Sequence, residues 1–349
     1  MHVFRSGALA AAVVALSSCG GGAAPDGSGR GEHAYPSAAS GPFAVGADLV
    51  TVLPRGSVAF PVVRALLESA RRRVLVEMYE LQRDDLVSTL IAVQTRGVPV
   101  TVITDPGAAG SEAAALVLRA AAVDVAEYPV RRLTIDHVKL LVVDDQVAVV
   151  GGINWGTASA AHHDFDVVVR GPAVANLERI AGRDLVTCGR RVTVPQLQID
   201  PAITVASTLP FDEVRPLVLA GIESAGRRLD LELYVLTDLG LVHALERALA
   251  RGVAVRLLLD PTQRPSDAAA AELRAAGVPL RLYAGHGELL HAKAMVVDGS
   301  TVVFGSANWS GGGFSRNHEI DLVIHDSAAV AAAFLAAVDA DWDVSSAPP

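Results

Sequence analysis

The chain predicts an α/β fold built twice, as two tandem, similar domains, each a β-sheet flanked by helices. Three observations carry that expectation. First, His137, Lys139, Asp144, Gly151, Gly152 and Asn154 recur at the same spacing as His291, Lys293, Asp298, Gly305, Ser306 and Asn308. Second, the likeness extends outward at an offset of 155: Glu68-Ser69-Ala70 matches Glu223-Ser224-Ala225, Arg96-Gly97-Val98 matches Arg251-Gly252-Val253, and Asp105-Pro106 matches Asp260-Pro261. The offset falls to 154 at His137 and His291, as a one-residue loop deletion in a duplicated unit would produce. Third, helical and strand-like apolar patterns alternate through each copy, the signature of a sheet covered by helices on both faces.

The elements follow in order. Arg5 precedes an apolar run, Ala8 to Leu16, too short to span a bilayer. With Leu16-Ser17-Ser18-Cys19 it reads as a secretory signal over residues 1–18. Residues 19–44 are rich in Gly, Ala, Ser and Pro, suiting a flexible tether rather than a core. The first domain is expected over 45–195 and the second over 196–349. Each opens with a helix (Val62 to Ala70, Val218 to Ala225) and a strand (Arg73 to Tyr79, Leu229 to Leu236). A second helix (Leu86 to Thr95, Leu239 to Ala250), a strand (Val98 to Thr104, Val253 to Leu259) and an Ala-rich helix (Glu112 to Ala122, Asp267 to Ala276) come next. The repeated motif then begins on a strand, His137 to Val143, so that His137 and Lys139 share one face. Asp144-Asp145 signals a turn, and Val147 to Val150 returns as the partner strand. No Gly/Ser linker separates the halves, so they should be packed together, with Val192 to Ile199 crossing between them.

Composition narrows the function. The chain has 349 residues, is 51% apolar and carries a formal charge of −9. That balance suits a sizeable core and argues against a broad nucleic-acid footprint. Cys19 and Cys188 are the two cysteines; Cys188 reads as a small buried apolar residue with no catalytic role.

Two histidines and two lysines in one pocket suit attack on a phosphodiester. One imidazole attacks phosphorus while the other, protonated, gives its proton to the leaving oxygen. Lys139 and Lys293 supply fixed positive charge to the phosphoryl oxygens, so neither a metal nor a cofactor is required. Asn154 and Asn308 add neutral donors to the same phosphate. Asp144 and Asp298 sit at the turn and read as structural supports of the catalytic groups rather than as part of the proton transfer. Glu77 and Glu232, inside apolar strands, suggest a buried hydrogen bond. His163 reads as a satisfied histidine rather than a metal ligand. Trp155 and Trp309 suit either the pocket mouth or packing between domains, and the arginines at 71–73 and 227–228 suit a helix-capping cluster.

The two copies resemble the paired HxKxxxxD motifs of the phospholipase D superfamily, over nearly all of the chain from about Val45 to Trp342. The resemblance implies mixed sheets related by a pseudo-two-fold axis, with the active site at their interface. It also implies a phosphohistidine intermediate, with His137 the favoured nucleophile and the other histidine acting as acid and then base. Asn317-His318-Glu319-Ile320-Asp321 aligns with His162-His163-Asp164-Phe165-Asp166, which marks Glu319 and Asp164 as carboxylates orienting the imidazoles. Ser306 would offer a hydroxyl near the phosphate where Gly152 has none. Leu16 to Cys19 resembles a bacterial lipobox, implying lipidation of Cys19 and an exported protein anchored to the cell envelope.

The expected activity is cleavage or transfer of phospholipid head groups, with water or an alcohol as acceptor, by a monomer. Phosphatidyl transfer of the cardiolipin-synthase type is the first alternative, although the transmembrane helices common in those synthases are missing ahead of the repeat. A superfamily endonuclease and a non-catalytic lipid-binding lipoprotein are the others. The intact His-Lys pairs speak against the last.

Overall fold

In the computed structural model, residues 34–130, 134–285 and 288–347 are described; the signal segment, Cys19 and the tether up to residue 33 lie outside them. The first half comprises β1 (Ser40–Val45), β2 (Asp48–Arg55), α1 (Gly56–Ser69), β3 (Val74–Met78), α2 (Asp84–Thr95), β4 (Val100–Thr104), α3 (Ser111–Ala120), β5 (Asp124–Glu127), β6 (Lys139–Val143), β7 (Val147–Gly151), β8 (His163–Arg170) and α4 (Ala173–Thr187). The second comprises β9 (Ile203–Ser207), α5 (Val214–Ser224), β10 (Arg228–Leu233), α6 (Leu239–Ala250), β11 (Ala254–Leu259), α7 (Asp267–Ala275), β12 (Leu280–Leu282), β13 (Lys293–Val297), β14 (Thr301–Gly305), α8 (Gly311–Ser315), β15 (Ile320–Ile324) and α9 (Ala328–Val344).

The sheets have matching orders, β1-β2-β8-β7-β6-β3-β4-β5 and β9-β15-β14-β13-β10-β11-β12. Both are mixed. The neighbours β3, β4 and β5, and likewise β10, β11 and β12, run parallel because helices link them, whereas β6-β7 and β13-β14 are antiparallel hairpins.

Alternation along the motif strands sorts their side chains between two cores. Leu140 and Val142 face a central core shared by both halves, with Ala294, Val296, Leu177 of α4 and Phe334 of α9. Leu141 and Val143 face the helices α1 and α2, as Met295 and Val297 face α5 and α6. Strands covered on both sides read as unbroken apolar runs, which is what these segments are. The halves are therefore packed, as the missing linker implied. The connection is also tied down: Asn176 and Gln198 exchange two hydrogen bonds of 2.9 Å.

Of the boundaries that differ from expectation, three bear on the site and its surroundings. Residues 40–44, assigned to the tether by composition, form most of β1 and pair with β2. The first helix begins at Gly56 rather than Val62. The motif strand begins at Lys139, not His137. His137 instead donates its backbone N–H to the His318 carbonyl at 2.8 Å, a pairing across the halves that periodicity within one segment does not reveal. Among the described residues, no helix is long and apolar enough to cross a membrane.

Candidate active site

Backbone pairing between the halves builds the site. His318 receives the His137 N–H and donates its own to Ile135, while His291 donates to the His163 carbonyl and His163 donates to Leu289. Asp105 and Asp260 hold the approaching segments, accepting from Asp136 N at 2.7 Å and Leu290 N at 3.0 Å. Their repetition as Asp-Pro was visible in the sequence, but this role depends on chain reversal.

Each motif imidazole is oriented by the carboxylate of the other half. His137 Nδ1 lies 2.8 Å from Glu319 Oε2, and His291 Nδ1 lies 2.6 Å from Asp164 Oδ2. All four side chains are buried. With Nδ1 engaged, each Nε2 remains for chemistry. Lys139 Nζ donates to the His137 carbonyl at 2.6 Å, and Lys293 donates to that of His291. Lys293 Nζ also lies 3.2 Å from His291 Nε2. Tyr79 and Tyr234 place their rings 4.8 and 4.7 Å from His137 and His291, beneath the lysine ammoniums at 5.3 and 5.4 Å. Tyr79 and Tyr234 stand at the repeat offset of 155, two residues after Glu77 and Glu232.

The electrostatics tie the four groups into one site. Burial, then Lys139 and Lys293, holds His137 well below the ordinary imidazole range. Burial and Lys293 lower His291 to about 3, with Lys139 adding to the effect. The lysines are depressed too, Lys139 to about 7, mainly by burial. The orienting acids diverge. Burial pushes Glu319 up to about 7 against the pull of Lys139. Burial also raises Asp164, but Lys293 and His291 outweigh it and hold the carboxyl below its usual range. Lys293 Nζ is 3.7 Å from Asp164 Oδ2, an attraction of about 4 kcal/mol at an effective dielectric of about 20. An anionic phosphate entering between the lysines would raise both imidazoles toward neutrality.

Gly152 and Ser306 explain why the acids differ in length. A Cβ at position 152 would stand 2.3 Å from Asp164 Oδ1 and 2.6 Å from Oδ2. The short acid thus occupies the space of the absent side chain. Ser306 Oγ accepts from Ile320 N at 3.0 Å and donates to the Ile320 carbonyl at 3.4 Å, next to the longer Glu319. Its hydroxyl thus braces the backbone just after Glu319. Just beyond, Asn154 and Asn308 carry buried amide oxygens without hydrogen-bond partners among the described residues, leaving capacity that an amide flip would turn into donors. Asp166 and Asp321, assigned no role from sequence, hold these turns by accepting from Ile153 N at 3.1 Å and Ala307 N at 3.0 Å.

Asp144 and Asp298 do not join the site, which corrects their placement as supports of the catalytic groups. Asp144 accepts the backbone N–H groups of Arg71, Arg72 and Arg73, and Asp298 those of Gly226, Arg227 and Arg228. Both have positive φ, 57° and 52°, which aspartate tolerates. They close the helix-to-strand junctions at the opposite end of the hairpins. Trp155 and Trp309 lie in the two outer cores, not at the mouth or between domains. Behind the catalytic groups, His318 faces Asp184 at 3.0 Å and His163 faces Asp341 and Glu288, each at 2.8 Å. Glu77 and Glu232 sit in these layers, their carboxyls raised well above the usual range by burial and by the neighbouring Asp184 or Asp341.

Two outcomes follow. Gly152→Ser should drive Asp164 off His291 and lower phosphodiester turnover about 10²-fold, the scale of a misplaced acid-base group. Adding Asp164→Glu, which rebuilds the second half's arrangement, should restore part of it, and an unaffected single variant would refute the steric account. The pH profile of kcat/KM should peak near 7, because Glu319 loses its charge as pH falls through about 7 and Lys139 loses its own as pH rises through about 7. Bound phosphate stabilises the ammonium, so the alkaline limb of kcat should lie at higher pH; an alkaline limb of kcat/KM near 10 would contradict the depressed lysine.

Comparison with known proteins agrees with this geometry. A family model described as "Cardiolipin synthase, PLD-like domain" matches twice, at residues 63–184 and 218–342. Cardiolipin synthase A of Pseudomonas putida (strain GB-1) is 29% identical over 313 residues, covering 79% of this chain and 65% of its own length. Cardiolipin synthase of Geobacillus kaustophilus (strain HTA426) is 27% identical over 321 residues, covering 80% of this chain and 63% of its own. The crystal structure of phosphatidylserine synthase from Haemophilus influenzae Rd KW20 shares the fold with a TM-score of 0.66 at 14% identity, covering 82% of this chain and 84% of that one. With both family domains present and both His-Lys pairs intact, the chain belongs to the phospholipase D superfamily of phosphodiester-cleaving and -transferring enzymes.

Proposed function

We propose that this enzyme transfers a phosphatidyl group to an alcohol, in the manner of a cardiolipin synthase, with hydrolysis as the competing discharge. The observation that carries the reading is the pair of imidazoles in one buried site, each fixed through Nδ1 by the opposite half's carboxylate and flanked by a lysine. The curated relatives named above are cardiolipin synthases, which moves the balance from head-group hydrolysis, the reading sequence first favoured, toward transfer.

In this reading His137 Nε2 attacks phosphorus, forming the N–P bond as the P–O bond to the leaving alcohol breaks. His291 gives that oxygen its proton. The acceptor hydroxyl then returns a proton to His291 and attacks phosphorus, releasing His137. The division of roles is supported by the acids: ionised Asp164 favours the charged form of His291, suiting the proton donor, whereas Glu319, raised to about 7, favours a neutral His137. Lys139 and Lys293 compensate the phosphoryl oxygens.

Export and membrane anchoring through Cys19 complete the proposal. They rest on Arg5, the apolar run to Leu16 and the lipobox-like Leu16-Ser17-Ser18-Cys19, residues outside those described.

Phosphatidylglycerol vesicles should yield cardiolipin and glycerol, and added ethanol should divert product to phosphatidylethanol, both in EDTA. His137→Asn or His291→Asn should reduce the rate by about 10³-fold or more. Plasmid nicking without lipid turnover would favour the endonuclease alternative. In cells, Cys19→Ala should release the protein from membranes if lipidation anchors it.

A further inference from the structure

Behind the motif histidines, the two halves close the same layer in different ways. In the second half His163 is satisfied by protein groups: Nδ1 lies 2.8 Å from both Asp341 oxygens and 3.1 Å from the Tyr283 hydroxyl, and Nε2 lies 2.8 Å from Glu288. Arg55 in turn pairs with Glu288 at 2.7 Å. At the repeat offset of 154, Glu288 corresponds to Thr134 and Leu290 to Asp136. The layer around His318 has therefore lost one partner for its imidazole and gained an acid.

The result is a buried cluster without hydrogen bonds. Glu77 of β3, Asp136, Asp184 of α4 and His318 are all buried. Seven of their side-chain atoms have no hydrogen-bond partner among the described residues: both oxygens of Glu77 and of Asp136, Oδ2 of Asp184 and both ring nitrogens of His318. Leaving so many polar atoms unpaired in an interior is costly unless something else satisfies them. His318 Nε2 lies 3.0 Å from Asp184 Oδ2 and 3.9 Å from Glu77 Oε1, yet it has hydrogen-bonding geometry with neither.

These atoms are spaced for a cation. One ligand atom from each of Glu77, Asp184 and His318 lies within 4.8 Å of the other two. Their separations of 3.0 and 3.9 Å bracket the edge of about 3.4 Å in a tetrahedron around zinc with bonds near 2.1 Å. Asp136 adjoins Glu77 closely enough to share a proton with it, so it can supply a fourth oxygen. A ring nitrogen among carboxylates favours a first-row ion over magnesium or calcium. The Tyr128 ring, stacked on His318 with centroids 5.1 Å apart, holds the imidazole plane. It also borders a pocket of about 450 Å³, which offers a route of entry.

We propose that Glu77, Asp136, Asp184 and His318 form a site for one divalent first-row cation, zinc by its ligand set, which fastens the second half to the first. Three ligands come from the first half, and His318 comes from the second. Asp136 and His318 pair at a β-bridge and immediately precede His137 and Glu319, whose side chains meet at 2.8 Å. The ion is structural. It braces the backbone behind these groups, takes no part in the displacement at phosphorus and, being enclosed, leaves only slowly in EDTA.

Elemental analysis of the untagged full chain tests the site. Protein produced with supplemental zinc and gel-filtered in EDTA should retain about one zinc per chain, with nitrogen and oxygen neighbours at about 2.0–2.2 Å by X-ray absorption. Glu77→Gln with Asp184→Asn keeps the side-chain shapes, removes two charges and should lose the ion. Glu232→Gln with Asp341→Asn, the counterpart pair in the second half, should keep it. Protein produced without zinc should gain about 5 °C in Tm when zinc is added to about 100 times its Kd, and the Glu77/Asp184 variant should gain none. Comparing each protein with and without zinc separates loss of the ion from any effect of the substitutions on folding. A native chain that holds no zinc or manganese and whose Tm responds to neither overturns the proposal and leaves shared protons to compensate the acids. Zinc that survives in the Glu77/Asp184 variant but is lost on Glu272→Gln also overturns it, by placing the ion at the exposed cluster of His243, Glu246 and Glu272.

Discussion

The exchange of carboxylates between the halves is the constraint on which the rest of this molecule depends. His137 is oriented from the second half by Glu319, and His291 from the first by Asp164. Neither half holds a complete catalytic pair. Because these groups are buried, removing one partner leaves an uncompensated polar or charged neighbour, typically at a cost of about 3–5 kcal/mol. The interface must therefore be rigid. It is held by the paired backbone at Asp136–His318 and His163–Leu290 and by a central core drawn from both sheets, α4 and α9.

Alternation along one short segment lets the same residues serve two layers. Asp164 turns toward His291, while its neighbour His163 turns the other way, into a layer with Asp341 and Tyr283. Glu319 and His318 repeat the arrangement with His137 and Asp184. The histidines behind the site thus anchor the segments whose acids face forward. Glu77 and Glu232 belong to this backing too, where burial beside other acids raises both carboxyls.

Much of this was legible because duplication turns spacing into a second measurement. The His-x-Lys pairs, the strand–helix alternation and the two orienting acids all stand at repeated intervals, and the structure brings the acids to the histidines. What stayed hidden was contact across the repeat. No periodicity within a copy tells that Asp164 serves His291 rather than His137, or that Asp105 holds the backbone before His137. Asp144 and Asp298 misled for a related reason. They are fixed in the motif's spacing, yet their carboxylates are taken up by the backbone N–H groups of residues 71–73 and 226–228, which return to the turn from the preceding helix. Spacing alone does not distinguish a turn support from a proton relay.

Duplication supplies symmetry, but displacement at phosphorus needs two unlike histidines, so the environment must break the equivalence. The Gly152–Asp164 and Ser306–Glu319 pairs do so at the level of sterics: the space left by a missing Cβ takes the short acid, and a serine hydroxyl supports the long one. Electrostatics follows from that difference, since Asp164 lies 3.7 Å from Lys293 and is held ionised, whereas burial pushes Glu319 up to about 7. A change of one methylene group, matched by a change of one hydroxymethyl group, thus gives two rings on otherwise matching scaffolds unlike carboxylate partners. The same duplicated frame therefore holds its two imidazoles in unequal surroundings at its centre.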